Sequence, residues 1–501
     1  MIRRKRLDAF VPLAVGLAFL LSSPHAWAAP APQRPKPSMQ EIAFNKECLD
    51  CHATESPSIV AEWKKSRHAG KDGVGCYGCH QAKEGDSGAY RHHNHDGTPM
   101  YIQTIVTPKR CAVCHEKEVA QQERSHHAKA GQILASLDGI LGEVIGGPQA
   151  VNSGCRQCHG AQVTLDKFNR PTPQTWPNTG IGRMNPDGTL GSCAACHGRH
   201  RFSVAQARTP DTCGKCHLGP DHPQLEVYNE SKHGIIYRAK EREMNLDART
   251  WVVGKDYTAA PTCATCHMSA TPDQESTHDV GERISYTLRP PISEKQSLVR
   301  LANGNEEDVP VSRPTPQLGA DFMGSEVAEV ITWEQRRKNM KDVCLACHAS
   351  HTVDSHYQQF DELVDLYNDK FARPISAVMK ELYDKGYLTP APFDERIEWT
   401  WYEIWHHEGR RARHGAAMNG PDYTWWQGLY EVAEFTYFEW IPELKDVVRK
   451  KDGNEDFANA LLEKHFKPIA GHDWYFNGIS KDTLENVRKF YAERYGQTTS
   501  Q

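Results

Sequence analysis

Apolar and aromatic residues follow two different patterns along this 501-residue chain. Beyond about residue 350 they recur at the spacing of one buried helix face, as in His356-Tyr357-Gln358-Gln359-Phe360-Asp361-Glu362-Leu363-Val364-Asp365-Leu366-Tyr367. The same spacing predicts helices over roughly 373–385, 393–418, 425–449, 455–466 and 483–495, punctuated by Pro374, Gly386 and Gly420. Trp399, Trp401, Trp405, Trp425, Trp426 and Trp440 make this part aromatic, as packing between long helices requires. Between residues 29 and 350 the pattern is broken: Gly, Pro, His and Asn are frequent and no period is sustained. Short helices and long loops are expected there. The fixed repeat of a solenoid is absent.

The N-terminus has a third texture. Arg3-Arg4-Lys5-Arg6 precedes an apolar stretch over residues 10–23 and an Ala26-Trp27-Ala28 cleavage pattern. This reads as a secretory signal peptide, too short for a membrane span. The expected divisions are therefore a signal peptide over 1–28, a loop-rich domain over 29–350 and a helical C-terminal domain over 351–501. Cleavage would remove four basic residues and one acid, taking the formal charge from −5 to about −8. An acidic, exported chain argues against a nucleic-acid partner, and no segment of the mature chain is long enough to span a membrane.

Cysteine explains the loop-rich part. All sixteen cysteines lie in Cys-x-x-Cys-His motifs. These are Cys48, Cys51 and His52; Cys76, Cys79 and His80; Cys111, Cys114 and His115; Cys155, Cys158 and His159. The remaining four are Cys193, Cys196 and His197; Cys213, Cys216 and His217; Cys263, Cys266 and His267; Cys344, Cys347 and His348. The motif is the attachment signature of c-type haem: two thiols bond the porphyrin and the imidazole becomes the proximal iron ligand. A disulfide framework would not place a histidine after every second cysteine, and structural zinc sites pair two half-sites to complete four ligands, which eight identical haem signatures fit poorly. The chain reads as an octahaem cytochrome c, mainly α, with short helices and long loops wrapped around eight covalent haems. Covalent haems acting as the core remove the usual objection to long loops.

Function then depends on the second axial ligand of each iron. Iron with histidine on both faces is saturated and suits electron transfer; iron with one face open can bind a substrate. The best distal candidates are His68, His127, His200, His233 and His278, with one from His92, His93 or His95 and one from His351 or His356. Ser66-Arg67-His68-Ala69, Ser125-His126-His127-Ala128 and Ser231-Lys232-His233-Gly234 share a Ser-x-His-small core. Seven partners for eight irons leave one open, a design in which one catalytic haem feeds seven relays.

Several stretches carry a resemblance. Cys213-Gly214-Lys215-Cys216-His217-Leu218-Gly219-Pro220-Asp221-His222-Pro223-Gln224 followed by Ser231-Lys232-His233-Gly234, Trp176 to Gly188, and Thr277-His278-Asp279-Val280-Gly281 resemble the octahaem hydroxylamine oxidoreductases, relatives of the pentahaem nitrite reductases. The resemblance implies that the catalytic haem sits on the fourth motif, with Asp221 and His222 on its open face as hydrogen-bonding and proton-transfer groups. It also implies a homotrimer in which a tyrosine of one subunit is cross-linked to the catalytic porphyrin of the next. Tyr423, in Gly420-Pro421-Asp422-Tyr423-Thr424-Trp425-Trp426, is the counterpart expected for it; Tyr357 is the guess for a second family tyrosine near the pocket. The leading expectation is oxidation of hydroxylamine to nitric oxide or nitrite, with electrons leaving to a small periplasmic cytochrome c. Relatives without the cross-link imply the opposite direction, nitrite or hydroxylamine to ammonia, and hydrazine is a third small nitrogen substrate. A pure electron conduit, with every iron doubly ligated, is the non-enzymatic alternative.

Overall fold

The computed structural model describes residues 36–70, 73–134 and 136–496. The signal-peptide expectation lies outside the described residues.

The C-terminal helices join end to end. Ser350–Tyr367 runs through a π-turn (Asn368–Ala372) into Arg373–Asp384. A second run comprises Arg396–Tyr402, the π-turn Glu403–Glu408 and Gly409–Met418. A third begins at Pro421 and reaches Asp452 through two more π-turns, Trp425–Tyr430 and Thr436–Trp440. Their inner faces form the largest apolar cluster, including Tyr367, Ile375, Ile404, Trp440, Leu444 and Phe466. Wide π-turns inside α-helices recur at functional sites, and Glu403–Glu408 is the one that returns below.

The loop-rich part holds helices of four to nine residues for the most part, each haem motif lying on or beside one. A second apolar cluster, with Tyr228, Tyr237, Met244, Trp251 and Tyr257, joins the segments around the sixth and seventh motifs.

Strands are the feature that the periodicity did not reveal. Strands β1 (Ala89–His95) and β2 (Thr98–Gln103) form an antiparallel hairpin after the second motif. Strands β3 (Tyr286–Thr287), β4 (Glu294–Leu301), β5 (Glu306–Pro310), β6 (Asp321–Phe322) and β7 (Ser325–Ile331) build a sheet between the seventh and eighth motifs. Strand β4 pairs with β3, β5 and β7, all antiparallel. Its residues Glu294-Lys295-Gln296-Ser297-Leu298-Val299-Arg300-Leu301 lack a clean alternation because Gln296 to Val299 are buried in succession, polar and apolar alike, and ion-paired Arg300 follows them. Arg300 meets buried Asp279 at 2.7 Å and Glu282 at 2.6 Å, and Arg336 meets Asp308 at 2.6 Å. Paired charges can be buried where isolated ones cannot.

Candidate haem-binding and active site

Each motif uses local helix geometry. Residues i, i+3 and i+4 share one helix face, so one turn presents both thiols and the imidazole together. The His115, His197, His217 and His348 amides each donate to the carbonyl of the motif's first cysteine at 2.8–3.0 Å, closing that turn. None of the described cysteines is in a disulfide. Three motif imidazoles are oriented through Nδ1: His80 to the Gln103 carbonyl at 2.8 Å, His159 to Ala130 at 3.2 Å and His267 to Val280 at 3.2 Å. A donor at Nδ1 leaves Nε2 as the metal-binding nitrogen.

Second imidazoles face five of these rings. Ring centroids are separated by 6.2 Å for His52 and His92, 6.3 Å for His80 and His200, and 6.4 Å for His115 and His68. The separation is 6.0 Å both for His217 and His127 and for His348 and His233. Two imidazoles bonded to one metal at about 2 Å each leave about this spacing between their rings. The donor set therefore fits covalently held haem. His278 lies close enough to His197 to lower its value further. Burial pushes His127 down to about 3 and His197 and His217 to about 4, keeping them neutral and able to bind metal.

The alternative histidines have different surroundings. Of the three histidines on β1, His92 faces His52, whereas His93 and His95 both bond Glu47. His356 meets Asn419 at 3.3 Å, and His351 is exposed. Among the described residues, no imidazole is in ring contact with His159 or His267.

The fourth motif is packed against the Trp176 to Gly188 stretch. A side chain at Gly182 would collide with the His159 carbonyl and the Gly131 amide, and Gly160 has φ +83°. Both glycines permit this close approach. The fourth and sixth motifs meet through Cys158 and Cys216. The carbonyl of Cys216 then contacts His222 Nε2 at 2.9 Å.

His222 Nδ1 lies 2.5 Å from Asp221 Oδ1, and Arg410 Nη1 lies 3.4 Å from Asp221 Oδ2. Burial opposes charge on His222, but the Asp221 hydrogen bond and charge outweigh it and raise the imidazole above its ordinary value. Burial works against the Asp221 carboxylate too, yet His222, with smaller contributions from His406 and Arg410, holds it below its ordinary value. Arg411 ties the loop down by donating to the Pro220 carbonyl at 3.0 Å. Gln224 lies 3.2 Å from His414, which burial pushes down to about 3.

The C-terminal residues Arg410, Arg411 and His414 are those that sequence reasoning missed. The signal was the basic run Arg410-Arg411-Ala412-Arg413-His414, whose meaning depends on contact with a loop nearly two hundred positions away. Tyr423 is half-buried, its amide 3.4 Å from Glu230, with Glu226 and Arg411 among its charged neighbours. Tyr357 lies under Arg337 and Lys341, near Cys344 and Cys266 rather than Asp221.

Comparison with known proteins agrees with the motif chemistry. Residues 182–300 match the family described as seven times multi-haem cytochrome CxxCH, and residues 25–81 match cytochrome c554 and c-prime. A probable nitrite reductase-hydroxylamine oxidoreductase fusion protein of Kuenenia stuttgartiensis is 26% identical over 383 residues, covering 69% of this chain and 39% of that protein. The chain thus spans about two-fifths of the length of that curated relative. A solved hypothetical multiheme protein superposes with a TM-score of 0.66 at 26% identity, covering 83% of this chain and 98% of the other. A reducing HAO-like protein complex of Kuenenia stuttgartiensis shares the fold, with a TM-score of 0.53 at 18% identity and coverages of 86% and 88%.

The class follows: this is a multihaem c-type cytochrome with covalently attached haem iron and a redox or electron-transfer role. Within that class it is homologous, at 26% identity, to the hydroxylamine oxidoreductase-like fusion protein. Among the described residues, no helix is long and apolar enough to cross a membrane.

Proposed function

We propose that the chain binds eight haems, one per motif, and reduces small nitrogen compounds, hydroxylamine or nitrite, toward ammonia at the haem held by Cys155, Cys158 and His159. When bound, that haem supplies the iron that holds the substrate and the electrons that reach it. The observation carrying the direction is His222. Both of its ring nitrogens face acceptors, the Asp221 carboxylate and the Cys216 carbonyl, which favours the doubly protonated ring. Reduction of hydroxylamine to ammonia and water consumes a proton with every electron. A charged imidazole supplies one, and Asp221, held by Arg410, keeps it charged and oriented. The facing imidazole pairs suit saturated irons that pass electrons. The name of one relative, a reducing HAO-like complex, supports this direction, while the probable nitrite reductase-hydroxylamine oxidoreductase fusion fits either.

Hydroxylamine oxidation is the second reading, favoured by Tyr423. Its neighbour Arg411 also holds the loop before Asp221, and the adjacent Trp425, Trp426 and Tyr430 form an exposed aromatic cluster suited to a neighbouring subunit of a homotrimer. Export through the N-terminal signal would place either activity in the periplasm, with a small cytochrome c as electron partner.

The test supplies haem-loaded protein with reduced viologen and nitrite or hydroxylamine, and separately with hydroxylamine and oxidised cytochrome c. Ammonia formed in the first assay supports reduction. Cytochrome reduction in the second without ammonia in the first selects oxidation, and inactivity in both leaves an electron conduit.

A further inference from the structure

The π-turn Glu403–Glu408 carries a second constellation, on side chains other than those directed at Asp221. Glu403, His407 and Glu408 each offer one ligand atom, and the three atoms lie within 4.8 Å of one another. His407 Nδ1 is 3.1 Å from a Glu403 carboxylate oxygen. The turn itself creates this grouping. Its i→i+5 bonding widens the helix and brings residues i+4 and i+5 to either side of residue i. On a regular α-helix residue i+5 points about 140° away from residue i.

Glu408 is the unusual member. Its side chain is only 4% exposed, and Oε2 is buried without a hydrogen-bond partner. Arg411 approaches the other oxygen at 3.6 Å, but its closer contact is Glu431, at 2.9 Å. A buried carboxylate oxygen left unpaired is costly unless a cation or proton satisfies it. Glu403 and His407 are 40% and 21% exposed, so an ion has a route in from solvent.

We propose that Glu403, His407 and Glu408 bind one divalent transition-metal ion of the zinc type. Two carboxylates and an imidazole on closely grouped atoms are a borderline-hard N/O set of this kind, and water would complete the coordination. A calcium ion demands six or more oxygens, which these three side chains do not supply. Bound at the π-turn, the ion would brace the segment that carries His406 and Arg410 toward Asp221.

The experiment uses haem-loaded full-length protein, treated with EDTA and titrated with ZnCl₂ against a chromogenic zinc chelator. The expected result is one tight zinc per chain, weakened at least about ten-fold in His407→Ala and Glu403→Gln, a change as large as even outer-shell substitutions cause. Glu408→Gln should behave likewise, and unaltered haem spectra establish that each variant is folded. His465→Gln, at a histidine bonded to Glu381 away from the turn, should retain the zinc. Absence of tight zinc uptake, or equal uptake by wild type, His407→Ala and Glu403→Gln, overturns the proposal.

Discussion

Asp221 and His222, adjacent in the chain, share a contact of 2.5 Å, and the same imidazole reaches back to the Cys216 carbonyl at 2.9 Å. The second contact points the pair toward the thiols where the fourth and sixth motifs meet. Together they favour the protonated imidazole and raise His222 above its ordinary value.

Asp221→Asn removes the carboxylate from that pair. Turnover of hydroxylamine by the haem-loaded variant should fall about 10²–10⁴-fold, the range of general acid–base catalysis. Steady-state assays with reduced viologen measure this, and unchanged haem content separates loss of chemistry from loss of fold. Full activity in the variant would remove Asp221 from the mechanism.

The pH profile should move with it. His222 titrates above its ordinary 6.5, so the protonated donor is present at lower pH and lost as pH rises through the raised value. Its contribution to folding stability has the same sign: complete below 6.5, lost above the raised folded value. The basic limb of reductive activity therefore lies above pH 6.5 in the wild type and moves down in Asp221→Asn. A limb at the same pH in both proteins would contradict the pairing.

Arg410→Gln should displace that limb the other way. Arg410 lowers the His222 value by charge while supporting Asp221, so its removal moves the limb upward. The expected loss of activity is about ten-fold, the low end for a hydrogen bond to a charged group, as its 3.4 Å length suits. Opposite displacement in the two variants distinguishes a positioning role from general loss of structure.

His92 and His93 provide a test of iron ligation. His92→Met should change the low-spin spectrum of a single haem, because His92 faces His52; His93→Gln should leave every haem unchanged, because His93 bonds Glu47. Electron paramagnetic resonance of the oxidised proteins reads the difference. The reverse result would assign the ligand to His93.

Tyr423 decides between the two proposed directions. Haem-loaded protein boiled in SDS with reductant and run on a haem-stained gel should show a monomer band if the chain is a reductase. A band at trimer mass, abolished in Tyr423→Phe, would mean a covalent bond between subunits and select oxidation, since haem attachment leaves no cysteine for a disulfide.

Much of the candidate site is legible because its elements are local. Asp221 follows His217 by four positions, and the Ser-x-His core picks out His68, His127 and His233, all three of which face a motif imidazole. Strand β4 was not legible, since Gln296 to Val299 are buried on both faces and Arg300, paired with acids from other segments, follows them. The grouping of Glu403, His407 and Glu408 was equally hidden. Helical spacing marks residues 393–418 as one helix, and only the π-turn within it brings position i+5 back beside i.

The sequence by itself determined the covalent chemistry of this protein. Two thiols and an imidazole at i, i+3 and i+4 share one helical turn wherever that turn is placed, so sixteen cysteines in eight such motifs carry the proposal of eight haem sites with their proximal ligands. Tertiary structure alone decided which imidazoles have a second ring opposite them and what surrounds Asp221. His92 was separated from His93 by the register of one hairpin, and Arg410 meets Asp221 across 189 positions. Contacts at such separations arise from the packing of whole elements, and local spacing carries no record of which elements will meet.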